Sequence, residues 1–570
     1  MRERLRLLYG QEAGDRTYEQ LRQLLARFRG RIQQADRSGF DERDAILITY
    51  GDSLLLEGTA PLRALGTFAS DRLRDLVSTI HVLPFFPYSS DYGFAVTDYL
   101  AVDSRLGAWP DIQALHRGFK LMFDFVLNHV SVASEWFQAF LRGEPPYDRF
   151  FITVDPATDL SRVTRPRATP LLTRFETARG ERWLWTTFSA DQADLDYANP
   201  DVLLRMVEVM LTYVERGADL LRMDAVAYLW KEVGTPCIHQ PQTHAIVKLL
   251  REILDAVAPQ VAIVTETNVP HRDNVSYFGD DDEAQMVYQF SLAPLVLDAF
   301  ARGDSGHLSL WAEGVSRPGR AAGTFLNFLA SHDGIGVVPA QGILSEAELS
   351  GLLDRVRAHG GEISWKSNPD GTQSPYELNC TFFDALSDPR ESREPSALKR
   401  DRFLCAHAIM LALQGVPGLY LHSLFGSHND QRAYERTGWK RDLNHARLAL
   451  PEVQAWLADP NNGYEQVFSG IAGMLQARRQ EPSFHPRSPQ QVLDLGSQVF
   501  AVRRGPHAGR MVVAVHNLSA FAQVIPAGGL ALAGLSDGAQ DLLSPLQLTA
   551  GAALELRPYQ AAWLQPPTPA

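Results

Sequence analysis

Short apolar segments recur along the chain, and stretches with helical periodicity separate them. Their Val, Ile, Leu and Phe content is nearly continuous, as in parallel strands that are buried on both faces. The segments are DAILITYGD from residue 44, LVSTIHVLPFFP from 76, LMFDFVLNHV from 121, DLLRMDAVA from 219, VAIVTETN from 261, QMVYQF from 285, TFLNFLASHD from 324 and GVPGLYLHS from 415.

This succession of eight segments predicts an α/β fold, a (β/α)8 TIM barrel joined by right-handed helical crossovers. Two intervals, after the third and seventh strands, are too long for simple loops and are expected to be inserted lobes. Short alternating runs near the end predict a small antiparallel β domain. The predicted units are an N-terminal helical extension (1–43), the catalytic barrel (44–130 and 201–490), an inserted lobe or domain B (131–200), a second insertion or domain B′ (336–395) and the C-terminal β domain (491–570).

Composition and charge narrow the classes of function. The 570-residue chain carries a formal net charge of −13 and no Lys/Arg-rich run, which argues against nucleic acid as a partner. The charged start and the absence of an apolar run of roughly 18 residues predict a cytoplasmic protein without a membrane partner. Three widely spaced cysteines, Cys237, Cys380 and Cys405, suggest buried, inert thiols and neither a disulfide framework nor a zinc site.

Polar side chains follow the apolar segments at their carboxyl ends, where barrel enzymes build their active sites. In DFVLNHVS, the residues Asp124, Asn128 and His129 close the third segment. One such cluster is equally well explained as structural capping, because buried polar groups need partners. It becomes a candidate site only if other strands end in the same way.

Three further segments each bring a carboxyl group to this rim. Arg222 and Asp224 are two residues apart, so a strand points both to one face, and we expect the pairing to keep Asp224 ionised. Glu266 follows the fifth segment, and His332 and Asp333 follow the seventh. Singly, each acid could be a structural ion pair or cap. Together they suit sugar chemistry, in which one carboxylate attacks while a second acid protonates the departing oxygen.

The order and spacing of DFVLNH, LLRMDAVAY, VTETN and FLASHD resemble the four signature regions of the α-amylase family of glycoside hydrolases. The stretches LPFFPYSSDYGF, ADQADLDYANP, SHDGIG and GVPGLYLHSLFGSHNDQ resemble the sucrose phosphorylase branch of that family. The resemblance covers roughly residues 44–480. Within this branch, LSRVTRPRATPLLT, SPYELN and ERTGWKRDLNHARL are most similar to the phosphorylases of glucosylglycerate.

This resemblance implies reversible phosphorolysis of 2-O-α-D-glucosyl-D-glycerate by double displacement, with inorganic phosphate as co-substrate and with no cofactor or metal. Asp224 would be the nucleophile, Glu266 the general acid/base and Asp333 the stabiliser of the transition state. Asp124 and Asn128 are expected to support the rim and to hold Arg222. The implied glucose pocket consists of Asp91, Phe94, His129, Gln192, Arg222, His332 and Arg441.

The acceptor side must recruit anions although the chain is acidic overall. The stretch SRVTRPRATP supplies Arg162, Arg165 and Arg167, and guanidinium groups suit both phosphate and carboxylate. One cationic patch could therefore serve both phosphate and glycerate, although a solvated basic loop explains any one arginine as well. Tyr376 and Glu377 in SPYELN are further candidates, and sucrose phosphorylases tend to have glutamine at the position of Glu377.

Other functions stay open at this point. Related enzymes act on sucrose, sucrose 6-phosphate or glucosylglycerol, and hydrolysis without phosphate is a further alternative. A different class of hypothesis is a catalytically silent sugar-binding protein on the same fold. The intact set of Asp224, Glu266 and Asp333 argues against this last alternative. The partners expected are a small-molecule sugar and phosphate, and the sequence does not determine an oligomeric state.

Overall fold

The eight apolar segments form the strands of a barrel. The computed structural model describes residues 1–35, 39–315, 323–368 and 370–567. Each barrel strand is shorter than the apolar segment that predicts it, so the polar residues lie at or beyond its carboxyl end. The strands are β1 (Ile46–Thr49), β2 (Thr79–Val82), β3 (Lys120–Val126), β4 (Leu220–Asp224), β5 (Ala262–Thr265), β6 (Met286–Gln289), β7 (Thr324–Phe328) and β8 (Val416–Tyr420).

Parallel pairing closes the barrel. Each strand pairs with its neighbours in the sequence, and β1 pairs with both β2 and β8. In this register Ile46 lies opposite Thr79 on one side and Gly418 on the other. All four residues of β1 are buried, because side chains fill the interior while helices cover the outside. The predicted α/β barrel is therefore confirmed.

Helices connect the strands and cover the barrel. Asn199 caps one of them by accepting a hydrogen bond from the Asp201 amide (3.1 Å), and a proline opens the first turn. The described α-helices are Arg2–Tyr9, Gln11–Phe28, Pro61–Arg72, Trp109–His116, Glu135–Arg142, Pro200–Glu215, Pro241–Val257, His271–Asn274, Leu292–Arg302, Gly306–Val315, Glu346–Ala358, Phe382–Leu386, Ser396–Ala412, Gln431–Thr437, Leu450–Trp456, Gly463–Arg479 and Ala527–Leu532.

Additional strands lie in the long segments after β3 and β7. After β3, His129–Ser131 pairs with Gln192–Asp194, and Leu172–Thr177 forms a hairpin with Gly180–Trp185. After β7, strand Gln373–Asn379 is the middle of a three-stranded antiparallel sheet. These segments contribute side chains to the barrel rim, as the next section describes. The flanking strands of the second sheet are Ile335–Gly336 and Glu362–Ser367.

The last part of the chain forms antiparallel sheets, as predicted. Trp563 is fully buried there, and its ring lies 4.7 Å from that of Phe484. The larger sheet has the spatial order Gln490–Leu493, Val499–His507, Arg510–Asn517, Ala561–Gln565, Ala539–Asp541 and Gln547–Leu548, and a smaller sheet pairs Gln523–Ile525 with Leu554–Leu556.

Two general features concern the whole described chain. No helix in the described ranges combines the length and the apolar character needed to cross a membrane. Cys237, Cys380 and Cys405 are all buried and free, as the sequence predicts. The division into domains remains a prediction.

Candidate active site

A pocket of about 590 Å³ lies at the carboxyl end of the barrel. Loops that follow β2, β3, β4, β5 and β7 meet there with side chains from the two inserted segments. The pocket brings together every residue proposed for catalysis or for the glucose pocket, and among the acceptor candidates only Arg162 and Arg165 do not line it. The candidates that line it are Asp91, Phe94, His129, Arg167, Gln192, Arg222, Asp224, Glu266, His332, Asp333, Tyr376, Glu377 and Arg441.

Three strands deliver the three carboxyl groups proposed for catalysis. β4 ends at Asp224, Glu266 directly follows β5, and Asp333 lies shortly beyond the end of β7. The residue after Asp224, Ala225, has a left-handed backbone conformation (φ 50°), which non-glycine residues rarely adopt. Its amide thereby donates a hydrogen bond to Glu266 Oε2 (3.1 Å). The strained turn thus couples the ends of two neighbouring strands.

The buried guanidinium of Arg222 lies next to all three carboxyl groups proposed for catalysis. Arg222 Nη1 donates to Asp124 Oδ1 (2.5 Å) and to Asp224 Oδ1 (2.8 Å). Its Nη2 lies 3.9 Å from Glu266 Oε2 and 4.0 Å from Asp333 Oδ2. The contact between Arg222 and Asp224 agrees with the shared strand face that the sequence predicts. The hydrogen bond from Arg222 to Asp124 agrees with the expectation that Asp124 holds this arginine.

A second guanidinium fixes the opposite wall of the pocket. Arg441 donates to Asp91 Oδ1 (3.0 Å) and to Asp333 Oδ1 (2.5 Å). Gln192 donates to the other oxygen of Asp91 (3.0 Å) and lies 3.2 Å from His129 Nε2. These contacts present two carboxylates in fixed positions, as the recognition of sugar hydroxyl groups requires.

Phe94 forms an apolar wall between the two guanidinium groups. Its ring stacks on that of His332 at 4.9 Å with an angle of 9°. The Arg222 and Arg441 guanidinium carbons lie 5.5 and 6.0 Å from the Phe94 ring centre. His332 Nε2 lies 3.3 Å from Asp333 Oδ2. The burial of His332 lowers its pKa to about 3, so the imidazole is neutral at pH 7.

The pKa values of the three catalytic candidates are not all shifted in the same direction from their ordinary values. Burial raises the pKa of Glu266 to about 7, with the Arg222 guanidinium opposing this rise. Burial also raises the pKa of Asp224, and the Arg222 guanidinium opposes this rise. Burial works to raise the pKa of Asp333, but His332 and Arg441 outweigh it and hold this pKa below its usual range.

A buried lysine that the sequence analysis missed supports the rim from the side. Lys231 Nζ lies 2.7 Å from Asn128 Oδ1 and 2.6 Å from Asp194 Oδ2. Asn128 Nδ2 also donates to Asp194 Oδ2 (3.1 Å). Asn128 was expected to help hold Arg222, but the hydrogen bonds of its side chain lead to Lys231, Asp194 and His129 and so tie the segment after β3 to the lobe. A lone lysine in YLWKEV carries no sequence signal for this role.

A strained turn after β2 positions Asp91. Asp91 and Tyr92 both have left-handed backbone conformations (φ 54° and 53°). Gly93 follows at φ 106°, and a Cβ atom there would lie 2.6 Å from the Pro84 carbonyl oxygen. The Tyr92 hydroxyl donates a hydrogen bond to Asp442, which is adjacent to Arg441. This contact ties the turn to the segment that provides the second guanidinium.

The two inserted segments meet at the side of the pocket that is predicted to bind the acceptor. Arg167 Nη1 lies 3.6 Å from Glu377 Oε2, and its guanidinium carbon lies 5.3 Å from the Tyr376 ring centre. Burial raises the pKa of Glu377 to about 7, with Arg167 opposing this rise. Arg165 does not line the pocket, because its guanidinium donates to the Thr169 carbonyl oxygen within the same loop. Arg162 is exposed to solvent.

Several pocket residues were not predicted. Phe188 and Tyr228 add aromatic surface, with ring centres 5.6 Å apart. Asn268 also lines the pocket, and within the described structure neither polar atom of its side chain has a hydrogen-bond partner. Its position in VTETN, two residues after Glu266, could have indicated from the sequence that Asn268 lines the pocket. Among the described residues, no cluster of three or more His, Cys, Asp or Glu side chains could hold a metal ion.

Comparisons with known proteins show to which family the chain belongs. Residues 71–313 match the model of the α-amylase catalytic domain. The chain is 50% identical to a glucosylglycerate phosphorylase of Spirochaeta thermophila over 92% of this chain and 89% of that protein. It is 47% identical to a glucosylglycerate phosphorylase of Allomeiothermus silvanus, over 99% of this chain and 97% of that protein.

A solved structure supports the fold alone. It is that of sucrose 6F-phosphate phosphorylase from Thermoanaerobacter thermosaccharolyticum, with a TM-score of 0.72 and 24% identity. The superposition covers 84% of this chain and 94% of that one. Since the sequence similarity to the two bacterial phosphorylases extends over nearly the whole chain, the chain belongs to the α-amylase family and, within it, to the glucosylglycerate phosphorylases.

Proposed function

We propose that this protein catalyses the reversible phosphorolysis of 2-O-α-D-glucosyl-D-glycerate to α-D-glucose 1-phosphate and D-glycerate, with retention of configuration. The observation that carries this proposal is the pocket itself. It combines carboxyl groups from the ends of β4, β5 and β7 with an arginine on the acceptor side. The sequence identity of 50% and 47% to two glucosylglycerate phosphorylases supports the choice of substrate. Inorganic phosphate is the co-substrate, and a cytoplasmic location remains a prediction.

The first displacement forms a covalent glucosyl enzyme. Asp224 attacks the anomeric carbon, while Glu266 protonates the glyceryl oxygen as the glycosidic bond breaks. The hydrogen bond from Arg222 uses Oδ1 of Asp224, which leaves Oδ2 as the attacking oxygen. A pKa of about 7 suits Glu266 to donate a proton in this step and to accept one in the next. D-Glycerate then leaves the acceptor side.

The second displacement transfers the glucosyl group to phosphate. A phosphate oxygen attacks the anomeric carbon, the bond to Asp224 breaks, and the Glu266 carboxylate accepts the proton of the attacking group when that oxygen carries one. Two successive inversions give the α anomer of glucose 1-phosphate.

Asp333 and its neighbours stabilise the positive charge that develops on the sugar ring. The lowered pKa of Asp333 keeps this carboxylate ionised beside the oxocarbenium-like transition state. Arg441 holds Asp333 and Asp91 in place, so both can accept hydrogen bonds from ring hydroxyl groups. Phe94 provides the apolar surface below them.

The acceptor side selects the leaving and entering groups. Arg167 can hold the carboxylate of glycerate in one half-reaction and phosphate in the other, because both anions suit a guanidinium fork. Phe188, Tyr228 and Tyr376 surround this region with aromatic surface and limit the access of water to the covalent intermediate.

A panel of acceptors tests the proposed function. Phosphate release from α-D-glucose 1-phosphate would be measured with D-glycerate, glycerol, fructose and fructose 6-phosphate at equal concentrations. We expect D-glycerate to give the highest kcat/KM, and NMR of the reverse reaction to show only the α anomer of glucose 1-phosphate. Faster release with fructose or fructose 6-phosphate would refute the substrate, and a β product would refute the double displacement.

A further inference from the structure

Each of the three guanidinium groups that line the pocket is already paired with a carboxyl group. Five carboxyl groups and three arginines of the described chain line the pocket. Arg222 is bonded to Asp224 and Asp124, Arg441 to Asp91 and Asp333, and Arg167 lies beside Glu377. An arriving phosphate or glycerate therefore has to compete with a carboxylate for any guanidinium that it contacts. When the closest carboxylate contact of each arginine is compared, that between Arg167 and Glu377 is the longest, at 3.6 Å, and it lies at the acceptor side.

Glu377 lies among charged groups that come from several segments. Its own strand, Gln373–Asn379, is flanked by the uncharged residues Ser364 and Gly336 at this register. Lys440 donates to the Ile363 carbonyl oxygen (2.6 Å). The groups that act electrostatically on Glu377 or on the adjacent Tyr376 are Arg167 from the lobe, Asp91, Asp333, Arg441, Tyr228 and Glu266. The side chain of Glu377 is almost completely buried, so water screens these interactions little.

An ionised Glu377 would oppose the binding of an anion beside Arg167. Two like charges about 4 Å apart at an effective dielectric constant of about 20 lower an affinity by roughly a thousandfold. A neutral carboxylic acid has no such effect and can donate a hydrogen bond to the anion instead. A neutral acceptor such as glycerol does not meet this repulsion.

We propose that Glu377 takes up a proton from solvent when an anion occupies the acceptor side, and thereby changes from the ion-pair partner of Arg167 into a hydrogen-bond donor to that anion. This inference rests on the proposed function, because it concerns the site that exchanges phosphate for glycerate. Under this proposal the protonation state of Glu377, which depends on pH, determines the preference of the enzyme for anionic over neutral acceptors.

The electrostatics of the free site support this exchange. Burial places the pKa of Glu377 at about 7, so protonation near neutral pH requires little free energy. Above this pKa the free site carries an ionised Glu377, and binding of an anion has to be accompanied by proton uptake. The relative preference for glycerate over glycerol should therefore fall by about tenfold per pH unit as the pH rises above 7.

A competition experiment tests the proposal. Wild-type enzyme is given α-D-glucose 1-phosphate with equal concentrations of D-glycerate and glycerol at pH values from about 6 to 9, and the ratio of the two glucosides is measured. Both acceptors react with the same glucosyl enzyme, so the titration of Glu266 cancels from this ratio. We expect a constant ratio at low pH and a steep fall above pH 7 in the wild type, and a ratio independent of pH in Glu377→Gln.

Glu176→Gln is a matched control. It makes the same chemical change at an exposed position of the lobe hairpin, outside the pocket, and should behave as wild type. A flat ratio in wild-type enzyme, or an unchanged pH dependence in Glu377→Gln, would overturn the proposal. If no glucosylglycerate forms at any pH while glucosylglycerol does, the proposed function fails instead.

Calorimetry provides a second measurement that does not depend on any variant. D-Glycerate has no group that titrates near neutral pH, since carboxyl groups of this type have pKa values near 3.5. Titration of D-glycerate into wild-type enzyme at pH 8, in buffers with different ionisation enthalpies, should show uptake of close to one proton per bound glycerate. At about pH 5.5 the uptake should vanish. Binding at pH 8 without proton uptake would also overturn the proposal.

Discussion

The two sides of the active-site pocket are built differently. On the proposed glucose side, formed by Asp91, Arg222, Asp333 and Arg441, each arginine makes two hydrogen bonds of 2.5–3.0 Å to carboxylates. On the acceptor side, formed by Arg167, Tyr376 and Glu377, the corresponding pair spans 3.6 Å. Among the residues of the glucose side, Arg222 lies on β4, and Asp91, Asp333 and Arg441 lie in the segments that follow β2, β7 and β8. Those of the acceptor side come from the two inserted segments.

This difference matches the ligands that each side must hold. Under the proposed function, glucose remains in place through both half-reactions, so a rigid arrangement of charges can be complementary to one transition state. The acceptor side exchanges glycerate for phosphate, which differ in shape and charge. A looser ion pair with a carboxyl group that titrates near neutral pH can adapt to both. Substitutions on the two sides should therefore affect different kinetic constants.

The largest effect is expected from Asp224→Asn. A neutral amide occupies nearly the same volume but cannot form the ester intermediate. We expect kcat to fall by roughly 10⁴-fold or more, with the circular dichroism spectrum unchanged. Phosphate release from glucose 1-phosphate is the measurement. Asp354→Asn, at an exposed position of helix Glu346–Ala358, is a control for the chemical change alone. Activity of Asp224→Asn near that of this control would exclude Asp224 as the nucleophile.

Glu266→Gln should have the next largest effect, which depends on the leaving group. Loss of proton donation should lower kcat by about 10²- to 10⁴-fold with glucosylglycerate, and much less with glucosyl fluoride, whose leaving group needs no proton.

The pKa of about 7 also gives this role a pH dependence. Glucosylation needs the protonated acid, so the rate of this step should fall as the pH rises above 7 in the wild type. If Glu266→Gln reacted as slowly with glucosyl fluoride as with glucosylglycerate, the assignment of Glu266 as the general acid would be contradicted.

The fold and the carboxyl groups of the barrel rim could be predicted from regular sequence patterns, whereas Asp91 and Arg441 lie outside these patterns and were implied only by the family resemblance. Eight nearly continuous apolar runs specify buried parallel strands, and the polar residues at their carboxyl ends must then lie on one rim. Arg222 and Asp224 share a face because they are two residues apart on a strand. The conformation of Ala225 and the raised pKa of Asp224 depend on tertiary burial, which no local pattern encodes.

The arginine of the acceptor side was harder to predict, because it lies on an irregular segment of the lobe. In SRVTRPRATP, three arginines are equivalent by composition, and only the path of the loop separates Arg167 in the pocket from Arg165 outside it. Lys231 was missed for a related reason. Its partners Asn128 and Asp194 are distant in sequence, so the contact exists only after the lobe has folded onto β3.

Arg167→Ala should separate the two sides of the pocket. It removes a charge-assisted contact to both anions, a type of bond that contributes about 1.5–3 kcal/mol. We expect the KM values for phosphate and D-glycerate to rise by roughly ten- to a hundredfold, while the KM for glycerol changes far less. Arg165→Ala removes the same charge from the same loop and should leave these constants at wild-type values. Equal effects of the two substitutions would indicate a general electrostatic contribution of the loop.

The smallest effect is expected from Tyr92→Phe. Tyr92 does not line the pocket, but it stabilises the turn that carries Asp91 on the glucose side. The variant loses the hydrogen bond to Asp442, and with it part of the restraint on the left-handed turn that presents Asp91. We expect roughly two- to fivefold higher KM values for glucosylglycerate and glucose 1-phosphate, which corresponds to about 0.5–1 kcal/mol. The KM for D-glycerate should not change, because the acceptor side does not depend on this turn.

Tyr9→Phe is the matched control for this last substitution. The Tyr9 hydroxyl donates to the Tyr197 carbonyl oxygen (3.1 Å), and neither residue lines the pocket. Both variants should lose about 1 kcal/mol of unfolding free energy, but only Tyr92→Phe should alter the constants for the glucosyl donors. If Tyr92→Phe changed the KM values for donors and acceptors equally, the two sides would be mechanically coupled, and the contrast between a rigid glucose side and an adaptable acceptor side would not hold.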